Sequence, residues 1–284
     1  VSPTNSDSVL INIQSSKGPS NSGGSSHGVY RSVDGGDSWV MTNFNPSVLG
    51  LGGLGSSFRI GKIAYHPTAP NLVFILTTNG LYRSDDNLQS WTIVSSLINS
   101  GSPSWSDDFE FHPTNPNIIY ANAFSQGVPS LVISNDMGVS FPTMITLPSI
   151  ISRNVLISVS NSCPDCVYIA SPEGVWRSTN NGYNFTFLDA AASSAYSNIK
   201  FAFAVNDLDT SNMILGGVNV LSTFDGGQTF NEATNYSLFY CMLQPNVSCF
   251  SNDYWCIFNA AKNYVHADIR CGISVNGVFY IGTD

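Results

Sequence analysis

The sequence predicts an all-β fold: a β-propeller of four-stranded antiparallel blades, about five to six in number, with incomplete terminal blades. Three observations carry that expectation. A short turn phrase returns five times at even spacing, a strand–turn–strand element precedes most copies, and the 284 residues are 43% hydrophobic but only 10% charged. A chain of that size buries a large core as a single domain, 1–284.

The phrase is clearest in Gly28–Trp39, GVYRSVDGGDSW. It returns as SDDNLQSW at Ser84–Trp91, SNDMGVSF at Ser134–Phe141, STNNGYNF at Ser178–Phe185 and TFDGGQTF at Thr223–Phe230. The starts at Ser32, Ser84, Ser134, Ser178 and Thr223 are 52, 50, 44 and 45 residues apart, a repeat-architecture period. The shared pattern is Ser/Thr-x-Asp-x-Gly-x-x-Trp/Phe. An apolar strand enters, Asp34, Asp86, Asp136 or Asp225 folds back onto turn N–H groups, and Gly36, Gly138, Gly182 or Gly227 supplies positive φ. Trp39, Trp91, Phe141, Phe185 or Phe230 then covers the turn and opens the next strand. Two copies depart from the pattern: Leu88 replaces the glycine and Asn180 the aspartate, so those turns are expected to be less well tied.

The second element reads IAYHPTAPNLVF, FEFHPTNPNIIY, VLISVSNSCPDCVYI and FAFAVNDLDTSNMIL in successive repeats. Each is an apolar strand, a Pro/Asn/Asp turn and another apolar strand. With the box hairpin this makes four strands per unit, A to D from the axis outward, which is a propeller blade. A–B and C–D turns then share one face, and D–A and B–C loops the other. The N-terminal SPTNSDSVLINI supplies an A–B turn and strand B, and Val265–Asp284 supplies A and B. Four complete and two partial blades are expected, with the end blades finished by imperfect closure or by a neighbouring chain or tandem copy.

The repeated phrase resembles the Asp-box, or BNR, repeat of sialidases, sortilin Vps10 domains and xyloglucan-cleaving hydrolases. The resemblance implies that the box aspartates build turns and lie opposite any active site. In the xyloglucan hydrolases the catalytic pair is two aspartates on separate propellers. Phe58-Arg59-Ile60-Gly61 resembles the sialidase Phe-Arg-Ile-Pro motif without its proline. Arg59, Arg153 and Arg270 lie in or near A strands, but no Tyr/Glu pair accompanies them.

A net charge of −9 with ten Lys plus Arg excludes nucleic acid and disfavours anionic membrane surfaces. No apolar run is long enough to span a membrane, and Val1-Ser2-Pro3 does not begin a signal peptide, so the chain reads as already processed or cut from something longer. Six cysteines, Cys163, Cys166, Cys241, Cys249, Cys256 and Cys271, and sequons at Asn184, Asn235 and Asn246 point to a secreted, oxidising setting. Cys163-Pro-Asp-Cys166 occupies an A–B turn, where a disulfide would pin the hairpin. The segment 231–264 reads as a stapled, glycosylated cap carrying Tyr254 and Trp255; its pairing with Cys271 stays open.

No cofactor or metal is expected: four histidines show no ligand spacing. His27 sits in a Ser/Gly-rich B–C loop, Gln14–Gly28. His66 and His112 precede equivalent A–B turns, a repeat-level structural position. The most enzyme-like stretch is Ser102–Glu110, SPSWSDDFE, where Trp105 offers a sugar-stacking face and Asp107 and Asp108 are the candidate acid/base pair, with Glu110 beside them. Trp105, Tyr254 and Trp255 are the candidate ligand contacts. The reading favoured is a secreted, non-catalytic scaffold for adhesion, recognition or self-assembly, its partners being itself or extracellular glycans and proteins. The alternatives are a glycoside hydrolase of the xyloglucan-cleaving type and a sortilin-like peptide-binding ectodomain.

Overall fold

The computed structural model describes residues 1–14, 26–49, 58–78, 80–95, 108–125, 128–150, 155–189, 202–234 and 269–283. Outside them lie most of the B–C loop, Trp105, Asp107, Arg153, Asn235, Cys241, Asn246, Cys249, Tyr254, Trp255 and Cys256. The chain divides into two compact units, Val1–Ile157 and Ser158–Asp284.

In the first unit, β1 (Val9–Gln14), β2 (Ser26–Ser32) and β3 (Val40–Met41) form a three-stranded sheet. Two four-stranded sheets follow. The first is β4 (Ile60–His66), β5 (Ala69–Thr77), β6 (Gly80–Ser84) and β7 (Thr92–Ser95). The next is β8 (Phe109–Phe111), β9 (Ile119–Ser125), β10 (Val128–Ser134) and β11 (Thr143–Thr146).

A third four-stranded sheet begins at the junction with β12 (Leu156–Ser160) and continues through β13 (Cys163–Ser171), β14 (Gly174–Ser178) and β15 (Thr186–Asp189). In the second unit come β16 (Ala202–Val205), β17 (Met213–Gly216), β18 (Val220–Thr223) and β19 (Asn231–Glu232). The two-stranded β20 (Ile269–Val275) and β21 (Val278–Thr283) close the described chain. Among the described residues every sheet is an antiparallel meander in chain order: four of four strands, with one of three before them and one of two after them.

The apolar runs are continuous because each middle strand is covered on both faces. Along β5, Leu72, Phe74 and Leu76 pack with Phe109, Ile119 and Ala121 of the following sheet. The alternate residues Val73 and Ile75 pack with Val29 and Phe44 of the preceding one. Burying each such side chain contributes about 1.5–3 kcal/mol. In the second unit, Ala202, Ala204 and Ile214 meet Ile269, Phe279 and Ile281 in the same way.

The five box turns share one hydrogen-bond plan. The first hydroxyl donates to the acidic or amide oxygen two residues on: Ser32 to Asp34 at 2.6 Å, Ser84 to Asp86 at 2.9 Å, Ser134 to Asp136 at 2.7 Å, Ser178 to Asn180 at 2.8 Å and Thr223 to Asp225 at 2.7 Å. The same hydroxyl oxygen accepts the amide four residues on, from Gly36, Leu88, Gly138, Gly182 and Gly227. The side-chain oxygen at the third position then accepts the amide of Ser38, Ser90, Ser140, Asn184 or Thr229.

Two consecutive left-handed residues, not one, shape each turn. They are Gly35–Gly36, Asn87–Leu88, Met137–Gly138, Asn181–Gly182 and Gly226–Gly227. The first of each pair donates its N–H to the A–B turn of its own sheet: Gly35 to Asp7, Asn87 to Asn71, Met137 to Asn117, Asn181 to Asp165 and Gly226 to Ser211, all at 2.9–3.0 Å. The A–B and C–D turns therefore share one side of each sheet.

The expectation of a looser turn at Leu88 is corrected. Leu88 sits at φ 68 with an amide bond to Ser84 of 2.8 Å, as short as that of any glycine in the series. Its side chain, 2% exposed, packs in the Val29–Phe44 cluster, which offsets the left-handed strain of about 1–2 kcal/mol. The Asn180 turn keeps the shared backbone bonds.

Ties also run forward from sheet to sheet. His66, fully buried, accepts the Thr68 N–H on Nδ1, so its Nε2 carries the proton and donates to the Pro116 carbonyl at 2.9 Å. Burial holds His66 below its ordinary pKa, with the neighbouring Arg83 adding to this against the Pro116 bond. His112 Nδ1 likewise accepts from Thr114 and Asn115. In the second unit Ser160 donates to the Asn206 carbonyl at 2.7 Å and Asn206 Nδ2 to the Gly277 carbonyl at 2.8 Å. Arg83 Nε reaches the Met137 carbonyl at 3.1 Å, and the Arg31 guanidinium faces the Asn87 side-chain amide.

Candidate functional site

The chemistry-bearing cluster of the first unit lies between β4 and β8, the first strands of two successive sheets. Alternation along β4 aims Lys62 at β8, the direction also taken by Ala64 and His66. Lys62 Nζ donates to Asp108 Oδ1 at 2.7 Å, Glu110 Oε1 at 2.5 Å and the Phe109 carbonyl at 2.6 Å. It also lies 5.1 Å from the centre of the Phe109 ring. Two carboxylates and a π face thus enclose one ammonium.

Asp108 is buried, 9% exposed, and both its oxygens are in use. Oδ1 accepts from Lys62 and from the Phe109 N–H at 2.9 Å, and Oδ2 accepts the Ile157 N–H at 3.0 Å. Its backbone N–H donates to Asn122 Oδ1 at 2.6 Å, and its carbonyl accepts the Asn122 N–H at 3.1 Å. The residue fastens β8 to β4, β9 and the start of β12.

The electrostatics follow from this enclosure. Burial works against the Lys62 ammonium, but Asp108 and Glu110 outweigh it and raise its pKa above the ordinary lysine value. At Glu110 burial and the Asp108 charge together outweigh Lys62, and its pKa is raised above the usual carboxylate range.

Of the residues singled out from sequence, Asp108 is brought together with Glu110, and with Lys62, which sequence reasoning missed. Trp105, Asp107, Tyr254 and Trp255 lie outside the described residues. Arg59 is half-buried between Phe58 and Ile60, which point into the core. Arg153 and the Arg270 side chain lie outside the described residues, so no arginine trio is described. His27 is exposed on β2, which begins at Ser26 and shortens the expected B–C loop.

Cys163 and Cys166 form a disulfide within the first four residues of β13, just after the β12–β13 turn, with Cα atoms 5.3 Å apart; it staples the start of one strand and does not bridge the hairpin. Cys271 is exposed and, among the described residues, outside any disulfide. Also among the described residues, no group of His, Cys, Asp and Glu is placed to hold a metal, and no helix is long and apolar enough to cross a membrane.

In four boxes the carboxylate is held ionised by its turn. The Ser32 hydroxyl, then that of Ser38, lowers the Asp34 pKa, and the Ser90 hydroxyl leads at Asp86. At Asp136 burial pulls upward but the Ser140 and Ser134 hydroxyls outweigh it; at Asp225 Thr229 and then Thr223 dominate. Every contact that lowers these values is made inside the turn.

No protein-family model matches the chain, and no curated protein sequence does. Among solved structures it is similar to an ancestral GH74 enzyme, at 20% identity and a TM-score of 0.58, over 82% of this chain and 30% of that one. It is similar to the extracellular domain of a one-component system from B. thetaiotaomicron, at 14% identity and TM-score 0.57, over 97% of this chain and 31% of that one. An auxiliary nutrient binding protein from Bacteroides thetaiotaomicron gives 12% identity and TM-score 0.56, over 99% of this chain and 64% of that one. The chain thus spans about a third of the first two and less than two thirds of the last. With the antiparallel four-stranded sheets, these likenesses show a β-propeller fold.

Proposed function

We propose that the chain is an extracellular, non-catalytic β-propeller scaffold, one domain over 1–284, that serves adhesion, recognition or self-assembly. The observation that carries this reading is the engagement of Asp108. A glycosidase needs one carboxyl group free to give a proton and another free to attack the sugar or activate water. Asp108 instead accepts from Lys62, Phe109 and Ile157, and Glu110 is bonded to the same ammonium.

Further support comes from the disulfide, the low charge, and likeness to propellers that include an extracellular domain and a nutrient binding protein. In this reading Trp105, Tyr254 and Trp255 contact an extracellular glycan or protein, and Cys241, Cys249, Cys256 and Cys271 staple the 231–264 segment. Its four-stranded blades, flanked by sheets of three and two strands, also suit strand addition between copies.

The test joins the mass of the native particle by light scattering to a glycan-binding and hydrolysis screen. Assembly, or saturable glycan binding without turnover, is expected. Release of reducing sugar that is lost in Asp107→Asn would overturn the reading.

A further inference from the structure

Four of the five box turns close with a hydroxyl on a carboxylate: Ser38 on Asp34, Ser90 on Asp86, Ser140 on Asp136 and Thr229 on Asp225. In the fourth turn both partners are exchanged at once, Asn180 for the carboxylate and Asn184 for the hydroxyl. Asn180 Oδ1 still accepts the Ser178 hydroxyl at 2.8 Å and the Asn184 N–H at 2.9 Å, so the backbone turn is kept. Its other terminal atom is an NH2 group, a donor, which cannot receive a second donor from residue 184.

The exchange frees the Asn184 side chain. It is exposed, and among the described residues its Nδ2 and Oδ1 make no hydrogen bond, the Asn180 contact being to the backbone N–H. An aspartate at 180 would instead present a second acceptor oxygen toward residue 184, where Asn180 presents a donor. The freed amide heads Asn184-Phe185-Thr186, an N-glycan acceptor sequence, and Thr186 is exposed at the start of β15.

We propose that Asn184 carries an N-linked oligosaccharide and that the paired Asn180/Asn184 exchange is what keeps this acceptor available. The inference rests on the extracellular reading above. The co-reactant is an oligosaccharide carried on a polyisoprenoid pyrophosphate, supplied by the oligosaccharyl-transfer machinery of the secretory route. Asn184 Nδ2 forms the bond to the sugar's anomeric carbon, and the carbon–oxygen bond to pyrophosphate breaks. The lipid pyrophosphate leaves with the bonding electrons, and one amide proton is lost to solvent. The clip spans only four residues, so in an aspartate box it closes on the fast timescale of local contacts and competes with transfer.

The experiment secretes the full chain from cells that carry this machinery and reads each sequon by peptide mass after enzymatic deglycosylation, which marks an occupied Asn as Asp. Occupancy at Asn184 is expected, with complete loss in Asn184→Gln. In Asn180→Asp, with Asn184 and Thr186 untouched, occupancy is expected to fall several-fold. An unmodified Asn184 beside an occupied Asn235 or Asn246 would overturn this inference and leave the extracellular reading standing. Retention in the cell with all three sequons empty would overturn both. Unchanged occupancy in Asn180→Asp would overturn the role given to the exchange.

Discussion

Leu88 donates its amide to Ser84 Oγ at 2.8 Å from a left-handed backbone, the position that four other turns fill with glycine. The side chain reaches the core from a conformation that disfavours it, because burial outweighs the strain. Leu88→Gly relieves about 1–2 kcal/mol of strain and forfeits about 2–5 kcal/mol of buried packing. A net loss of roughly 1–3 kcal/mol is expected in denaturant unfolding.

Asp108 and Glu110 share one ammonium but are expected to answer substitution oppositely. Asp108→Asn sets an NH2 against either Lys62 or the Ile157 N–H, leaving a buried donor unpaired at a cost of about 1–3 kcal/mol. Because the Glu110 pKa is raised, its ionised form opposes folding at neutral pH. Glu110→Gln keeps an acceptor for Lys62 and is expected to leave the melting temperature level or higher. Thermal scans of both variants at pH 7 check the contrast.

The box aspartates set a direction for acid sensitivity. Asp34, Asp86, Asp136 and Asp225 all have folded pKa values below the unfolded one. In acid the unfolded chain therefore binds more protons. Their contribution is complete above the ordinary carboxylate pKa, about 4, and is lost as pH falls below it. The Asn180 turn has no such group. Amide exchange followed from pH 5 downward is expected to open the four aspartate turns and spare the one at Asn180.

Two glycines with similar φ separate strain from crowding. At Gly226, φ +77, an added Cβ meets nothing within 4 Å, whereas at Gly138, φ +74, it would run into the Phe74 ring. Gly226→Ala is expected to cost about 1–2 kcal/mol. Gly138→Ala adds overpacking of about 1–3 kcal/mol to the same strain, and parallel unfolding curves measure the difference.

The four-stranded unit and the turn chemistry were legible because each unit repeats locally: the hydroxyl, the side-chain oxygen and the amides they receive lie within seven residues, as from Ser32 to Ser38. The first left-handed position was not legible. Gly35, Asn87, Met137, Asn181 and Gly226 share no side-chain chemistry, since the bond common to all five is made by the backbone N–H. Lys62 was invisible for another reason: its partners lie 46 and 48 residues away, one blade along, and a lone lysine in an apolar strand carries no motif. Asp108 was noticed as an acid, but its buried amide partners could not be read before β8 and β12 were placed.

The forward ties have a consequence for how such chains vary. His66, Ser160 and Arg83 each end on a main-chain carbonyl of the next sheet, at Pro116, Asn206 and Met137. The receiving sheet contributes only an oxygen that every residue possesses. At these three ties the receiving side chain can change without the preceding sheet losing the attachment, whereas the Lys62 tie holds only with Asp108 and Glu110 in place. Along such a chain, compatibility between neighbours is carried by backbone shape at the turns and by sequence at the ammonium.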